Sequence, residues 1–522
     1  MKKNIKWLLL VSLTFMAACN NDDDNNTPEE VPVTPGSAVF TKYVALGDSF
    51  AAGYSDGALF AKGQSNSYTN ILSQQFVAAG GGAFTTPFML DNIGGFSSGG
   101  VQIPKFPTRY VFEPVTRTPV NVPGVSGTSI TARLTGSFSN MGIPGAKSFH
   151  LLAPGYGNLA GVFATPATAN PYFARFSSSP TTSVLADAMA QAPTFFSLFI
   201  GGNDVLGYAT NGGVPTSQDP VLGDDITPTA TFNFAYNTLV NTLTANGAKG
   251  VVANLPYITT LPHFTTVPYN PLTAKSIGKD NEVVGLATIK LLNAQLYGPL
   301  KQALTALGAG DRINLLSETS TSPVLMKDET LPNLGTQLAA IFTPTLGAQT
   351  AGFYGAVFGQ ARQAKATDLL LLTTRTAIGA APTAVDSGVG IAPPYPLNAF
   401  GVSFPLQDKH VLIPTEIEEI RVATDAYNVI IAAAAEAKGL AFVDTRGVMT
   451  KLSSGGIRFG NFTMTSSYAV GGAFSLDGVH PSPRGYGLIA NIFIDAINAK
   501  YGSTLRHVDL GTYPIQYPLT IQ

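Results

Sequence analysis

Short apolar runs that end in turn residues recur along this chain with stretches of helical periodicity between them, and this alternation restricts the fold more than any other feature. The runs are Tyr43–Leu46, Phe195–Ile200, Gly250–Leu255, Ile313–Leu316 and Leu440–Val443, and the helical patterns include Phe232–Ala245, Glu282–Leu307, Glu416–Ala437 and Gly485–Lys500. Strands joined through helices pair parallel, because a parallel neighbour needs a long crossover. The expectation is therefore an α/β domain with a mainly parallel sheet, whose working groups collect at the carboxyl ends of the strands. Segments near 56–135, 208–230, 256–281 and 318–410 are rich in Gly, Pro, Thr and Ala and interrupt the alternation. They read as insertions in one domain over 39–522. No fixed-period repeat is present, which disfavours a solenoid or propeller.

The 522 residues allow a substantial core, and only 12% are charged, about half the usual share. Net charge is −2 and no Lys/Arg cluster lies beyond the extreme N-terminus, so a nucleic-acid partner is not expected. Residues 1–18 set three lysines before a short apolar run and then small residues, the layout of a secretory signal peptide. The run is too short to span a bilayer, and its removal leaves no transmembrane helix. Cys19, the only cysteine, directly follows Met16-Ala17-Ala18, which resembles the lipobox of bacterial lipoproteins, with Met16 where leucine is usual. Residues 19–38 are acidic, polar and proline-containing and read as a tether. An acidic run after the cysteine also resembles the surface-export signal of lipoproteins in the Bacteroidota, which implies an outer-membrane lipoprotein held through a lipid on Cys19. Such a chain has no thiol left for a disulfide.

Four short motifs carry candidate chemistry. In "YVALGDSFAAGY", Ser49 lies just past an apolar run; in "SNMGIPGAKS", Asn140, Gly142 and Gly145 offer close backbone approach. In "FFSLFIGGNDVLGY", Asn203 could aim an amide donor from a strand end. Histidines number five: His150, His263, His410, His480 and His507. His480 stands apart, since "SLDGVHPSPRGYG" puts Asp477 three residues before it, a spacing that can bring a carboxylate to one ring nitrogen and leave the other outward-facing. Taken singly, each motif is also an ordinary turn.

Together and in this order the motifs resemble the SGNH, or GDSL, hydrolase family: "GDSF", "NMGIPG", "GGND" and "DGVHPS". The resemblance rests directly on about thirty residues and spans the chain from about 40 to 500. It implies a flavodoxin-like three-layer α/β/α fold and hydrolysis of esters of lipids, acylated sugars or small alcohols with no metal or other cofactor. It further implies Ser49 as nucleophile, His480 as base and Asp477 as its orienting carboxylate. The backbone N–H groups of Ser49 and Gly145 and the side-chain amide of Asn203 would form the oxyanion hole. Phe50 stands where the family usually has leucine, and the gap from Asn203 to Asp477 is long for its compact members.

A rival serine exists, because "GFSSG" satisfies the G-x-S-x-G elbow pattern with Ser97 at its centre. That elbow needs a helix after the serine, which the glycines and Pro104 disfavour. No H-E-x-x-H or Cys/His cluster suggests zinc, and the Gly155-x-Gly157-x-x-x-Gly161 run misses the spacing and strand context of a dinucleotide fingerprint. The reading is a serine esterase or lipase. Alternatives are an O-deacetylase of acylated polysaccharide and, in another class, a non-catalytic surface glycan- or lipid-binding lipoprotein.

Overall fold

The structure is a computed structural model that describes residues 32–115, 118–215 and 223–521. Cys19, the signal segment and most of the tether fall outside the described residues. Five strands form one parallel sheet: β1 Tyr43–Gly47, β2 Asn140–Gly142, β3 Phe195–Phe199, β4 Lys249–Ala253 and β5 Ala441–Val443. Their spatial order is 2-1-3-4-5, a doubly-wound order in which the chain reverses direction across the sheet beside β1. Every residue of β1 and β3 is buried, as expected of strands covered on both faces.

The helices needed here are α1 Ser49–Ala52, α2 Tyr68–Val77, α3 Asn203–Thr210, α4 Thr229–Thr244, α5 Glu282–Leu292, α6 Gly298–Ala306, α7 Gly335–Phe358, α8 Pro414–Lys438 and α9 Pro483–Tyr501. α9 packs on β5, β4 and α2, while α8 packs on β5, β4 and α4. These two groups of helices around one sheet are compatible with three layers. Their ends are set locally. Ser482 caps α9 through a bond from the Gly485 amide, Pro483 opens it, and Gly502 closes it in the left-handed conformation.

The apolar runs near 43, 195, 250 and 440 are strands within a residue or two of their expected bounds. Ile313–Leu316 is not one: it is irregular, and its buried Ile313 and Leu316 belong to a second hydrophobic core. That core draws on residues from Val267 to Ile413, including α5, α6 and α7 and two short antiparallel strand pairs, Leu325–Lys327 with Ala361–Gln363 and Leu369–Leu370 with Val411–Leu412. Helical periodicity over 282–307 therefore reflects a second core and not a crossover of the main sheet, and a five-residue π-turn at Asn293–Tyr297 divides it. In the opposite sense, α2 lies within the stretch near 56–135 read as insertion, yet it buries Tyr68, Ile71, Leu72 and Phe76 in the main core. The N-terminal tether also ends earlier than residue 38. Thr34 and Ser37 hydrogen-bond to Thr504 and Tyr501 at the end of α9, so residues from about 34 onward are held to the fold.

Candidate active site

The register of the sheet fixes where the motifs meet. Gly47 of β1 lies opposite Gly142 of β2 and Phe199 of β3, so the segments that follow all three strands emerge side by side. These are the segments carrying Ser49, Gly145 and Asn203. Crowding there explains Gly142, because a Cβ would stand 2.3 Å from the Ala52 nitrogen in α1. Gly145 is required for a different reason, its positive φ of 80°.

Ser49 opens α1, with Asp48 as N-cap accepting from the Phe50 amide at 3.0 Å. His480 Nε2 lies 2.9 Å from Ser49 Oγ, and His480 Nδ1 lies 2.9 Å from Asp477 Oδ2. The carboxylate is itself held on both oxygens: Oδ1 accepts from the Val479 and His480 amides, and Oδ2 also accepts from the Gly57 amide. Burial alone would raise the Asp477 pKa, but the facing imidazole and these donors outweigh it and hold the carboxyl well below its usual range. An ionised Asp477 fixes the proton of His480 on Nδ1 and leaves Nε2 as acceptor for the serine hydroxyl. This arrangement can take the proton of Ser49 Oγ.

Serine and histidine are 431 residues apart in sequence, and a loop after α1 joins their segments. Ser55 Oγ donates to the Pro481 carbonyl, Ser475 Oγ accepts from the Asp56 amide, and Asp56 Oδ1 accepts from the Leu476 amide. From below, Tyr486 of α9 donates to the Tyr54 carbonyl. The Tyr54 ring lies 4.6 Å from the imidazole, centroid to centroid. Asp56 is buried at a positive φ of 50°, and burial pushes its carboxyl up to about 7. The only local signal for this residue is Ser-Asp-Gly, a turn signature in which Asp tolerates the left-handed region.

Asn203 opens α3 and donates to the Ala146 carbonyl at 3.0 Å, which leaves one amide hydrogen for another acceptor. Its neighbour Asp204 is fully buried and accepts from both the amide and hydroxyl of Ser148, clamping the glycine loop to the end of β3. Desolvation pushes Asp204 up to about 6. Among the described residues, the N–H groups of Ser49 and Gly145 have no hydrogen-bond partner.

Two hollows flank Ser49. A narrow one of about 50 Å³ is lined by Ser49, Asn203, Phe50, Phe199, Leu255 and Ile258. A wider cleft of about 480 Å³ lies on the His480 side, walled by Tyr54, Tyr110, Tyr468, His263 and Arg375. His263, which lies between β4 and the first residues of the second core, ties two loops together: its amide donates to the Gly478 carbonyl and its carbonyl accepts from the Leu372 amide. Burial pushes its imidazole below the usual range.

Ser97 stands elsewhere, buried in a two-residue strand paired with Val101–Gln102, its hydroxyl directed to the Thr128 carbonyl. No strand–elbow–helix surrounds it. His150 and His410 accept backbone amides through Nδ1, and His507 faces Asp495. Among the described residues no helix is long and apolar enough to cross a membrane. No family model, curated protein or solved structure matches the chain.

Proposed function

We propose that the protein is a serine hydrolase of carboxylic esters with a flavodoxin-like SGNH fold. The observation that carries the reading is the line of contacts Asp477 Oδ2 to His480 Nδ1 and His480 Nε2 to Ser49 Oγ, both 2.9 Å. His480 takes the serine proton as Ser49 attacks the ester carbonyl, and returns it to the departing alcohol; water activated by the same imidazole then releases the acid. Negative charge on the tetrahedral oxygen is met by the unpartnered N–H groups of Ser49 and Gly145 and the free amide hydrogen of Asn203. The chemistry requires no metal or other cofactor.

The narrow hollow beside Ser49 and Asn203 supports a short acyl group. This moves the reading from long-chain lipase toward removal of short acyl groups, including acetyl groups, from a larger alcohol. Export and anchoring through Cys19 at the outer membrane complete the proposal. Hydrolysis of p-nitrophenyl acetate, butyrate and decanoate by wild type, Ser49→Ala, His480→Ala and Ser97→Ala tests it. Activity and fluorophosphonate labelling should vanish with Ser49→Ala and His480→Ala, persist in Ser97→Ala, and fall from acetate to decanoate. A folded wild type that neither turns over nor labels would instead favour a binding lipoprotein.

A further inference from the structure

An open cavity of about 990 Å³ borders the second core, at the upper end of the range for small-molecule sites. Arg375, an exposed residue, lines both this cavity and the cleft beside His480, so the two hollows adjoin at its side chain. The cavity wall mixes polar and apolar groups, with Leu272, Ile277, Leu292 and Val402 among the apolar ones. It contains no Asp or Glu, while Arg375 and Lys279 give it two cations. Among the described residues no carboxylate pairs with Arg375. Ser403, 2% exposed, also lines the cavity, and its buried hydroxyl has no hydrogen-bond partner.

Direction follows from the chemistry. The alcohol oxygen must receive its proton from His480 Nε2, so the alcohol half of the ester lies on the side of the wide cleft and points toward Arg375. We infer that the cavity bordering the second core is a distal subsite for the apolar tail of that alcohol half, with an anionic group on it held by Arg375. The ligand is an anionic amphiphile. Its assignment to the alcohol half rests on the ester-hydrolase reading, but its binding does not.

The test is calorimetric titration of the full chain carrying Ser49→Ala with octyl phosphate, dodecyl phosphate, inorganic phosphate and the neutral dodecyl maltoside. Dodecyl phosphate should bind at one site, with affinity rising about two- to fourfold per methylene from octyl to dodecyl. Inorganic phosphate and dodecyl maltoside should bind at least about tenfold more weakly. Arg375→Gln should weaken dodecyl phosphate by roughly tenfold or more, and Ala380→Trp, at an exposed position on the rim, should remove the chain-length dependence. Equal binding of inorganic phosphate, or of dodecyl maltoside, overturns the proposal, as does no binding at all. The alkyl-phosphate series decides the matter even if a variant does not fold. Arg375-dependent binding by a chain that hydrolyses no ester would sink the catalytic reading alone, and hydrolysis without such binding would sink the distal subsite alone.

Discussion

At the scale of single residues, Asn203 and Asp56 make separable contributions. Asn203 has one amide hydrogen engaged by Ala146 and the other available beside Ser49, so on the proposed mechanism truncation removes one oxyanion donor. Asn203→Ala should slow turnover by ~10²–10³ with little change in melting temperature; near-native kcat in a folded variant removes Asn203 from the mechanism. Asp56 tests a different balance. Its folded pKa of about 7 lies above the ordinary carboxyl value, so the folded state binds the extra proton, and stability falls as pH rises between those two values. Asp477 has the opposite sign, and its contribution is lost only below the ordinary carboxyl range. Asp56→Asn keeps an oxygen for the Leu476 amide and removes the titration. The variant should therefore gain more melting temperature relative to wild type at pH 8 than at pH 5, and parallel curves across that interval would contradict the assignment.

At the scale of elements, the site is a consequence of strand ends held level. β1 and β3 are legible because the apolar runs Tyr43–Leu46 and Phe195–Ile200 are followed by Gly-Asp-Ser and Gly-Gly-Asn. β2 is not, since Asn140–Gly142 has one apolar side chain and owes its strand geometry to pairing with β1. The Asp56 loop escaped notice for a related reason: its role lies in bonds to residues more than 400 positions away. Ile313–Leu316 misled because a short apolar run has the same appearance in either core. On the proposed function, the ends of β3 and α1 would also set acyl length. Phe199 and Phe50 stand edge to face, 5.7 Å apart, and line both the hollow at Ser49 and a second apolar hollow behind it. Phe199→Ala should join the two and raise the ratio of decanoate to acetate hydrolysis severalfold. An unchanged ratio would place the acyl group elsewhere.

At the scale of the molecule, the chain builds two cores, and the second leaves the main sheet after β4 and rejoins it at α8. It begins just past the carboxyl end of β4, and His263, Leu372 and Arg375 beside it line the cleft at His480. The core is locked by Arg362, buried between Asp328 and Asp368 with contacts of 2.6 Å to each. Removing one partner leaves a buried guanidinium under-compensated. Asp368→Ala should cost roughly 3–5 kcal/mol of stability in that core, read as an early unfolding transition in calorimetry; a single unshifted transition would show that the ion group contributes little. No local sequence pattern announces such a lock, because Arg362, Asp328 and Asp368 are spaced by loop and strand and not by a period. The stitching of the Tyr54–Gly57 loop to Ser475–Pro481 has a temporal consequence. Ser49 and His480 come from opposite ends of the chain, so on the proposed mechanism a chain still being made holds Ser49 without His480 and has no activated serine. Under that proposal hydrolysis would begin only when the last fifty residues have docked, and the first turnover would report a finished fold.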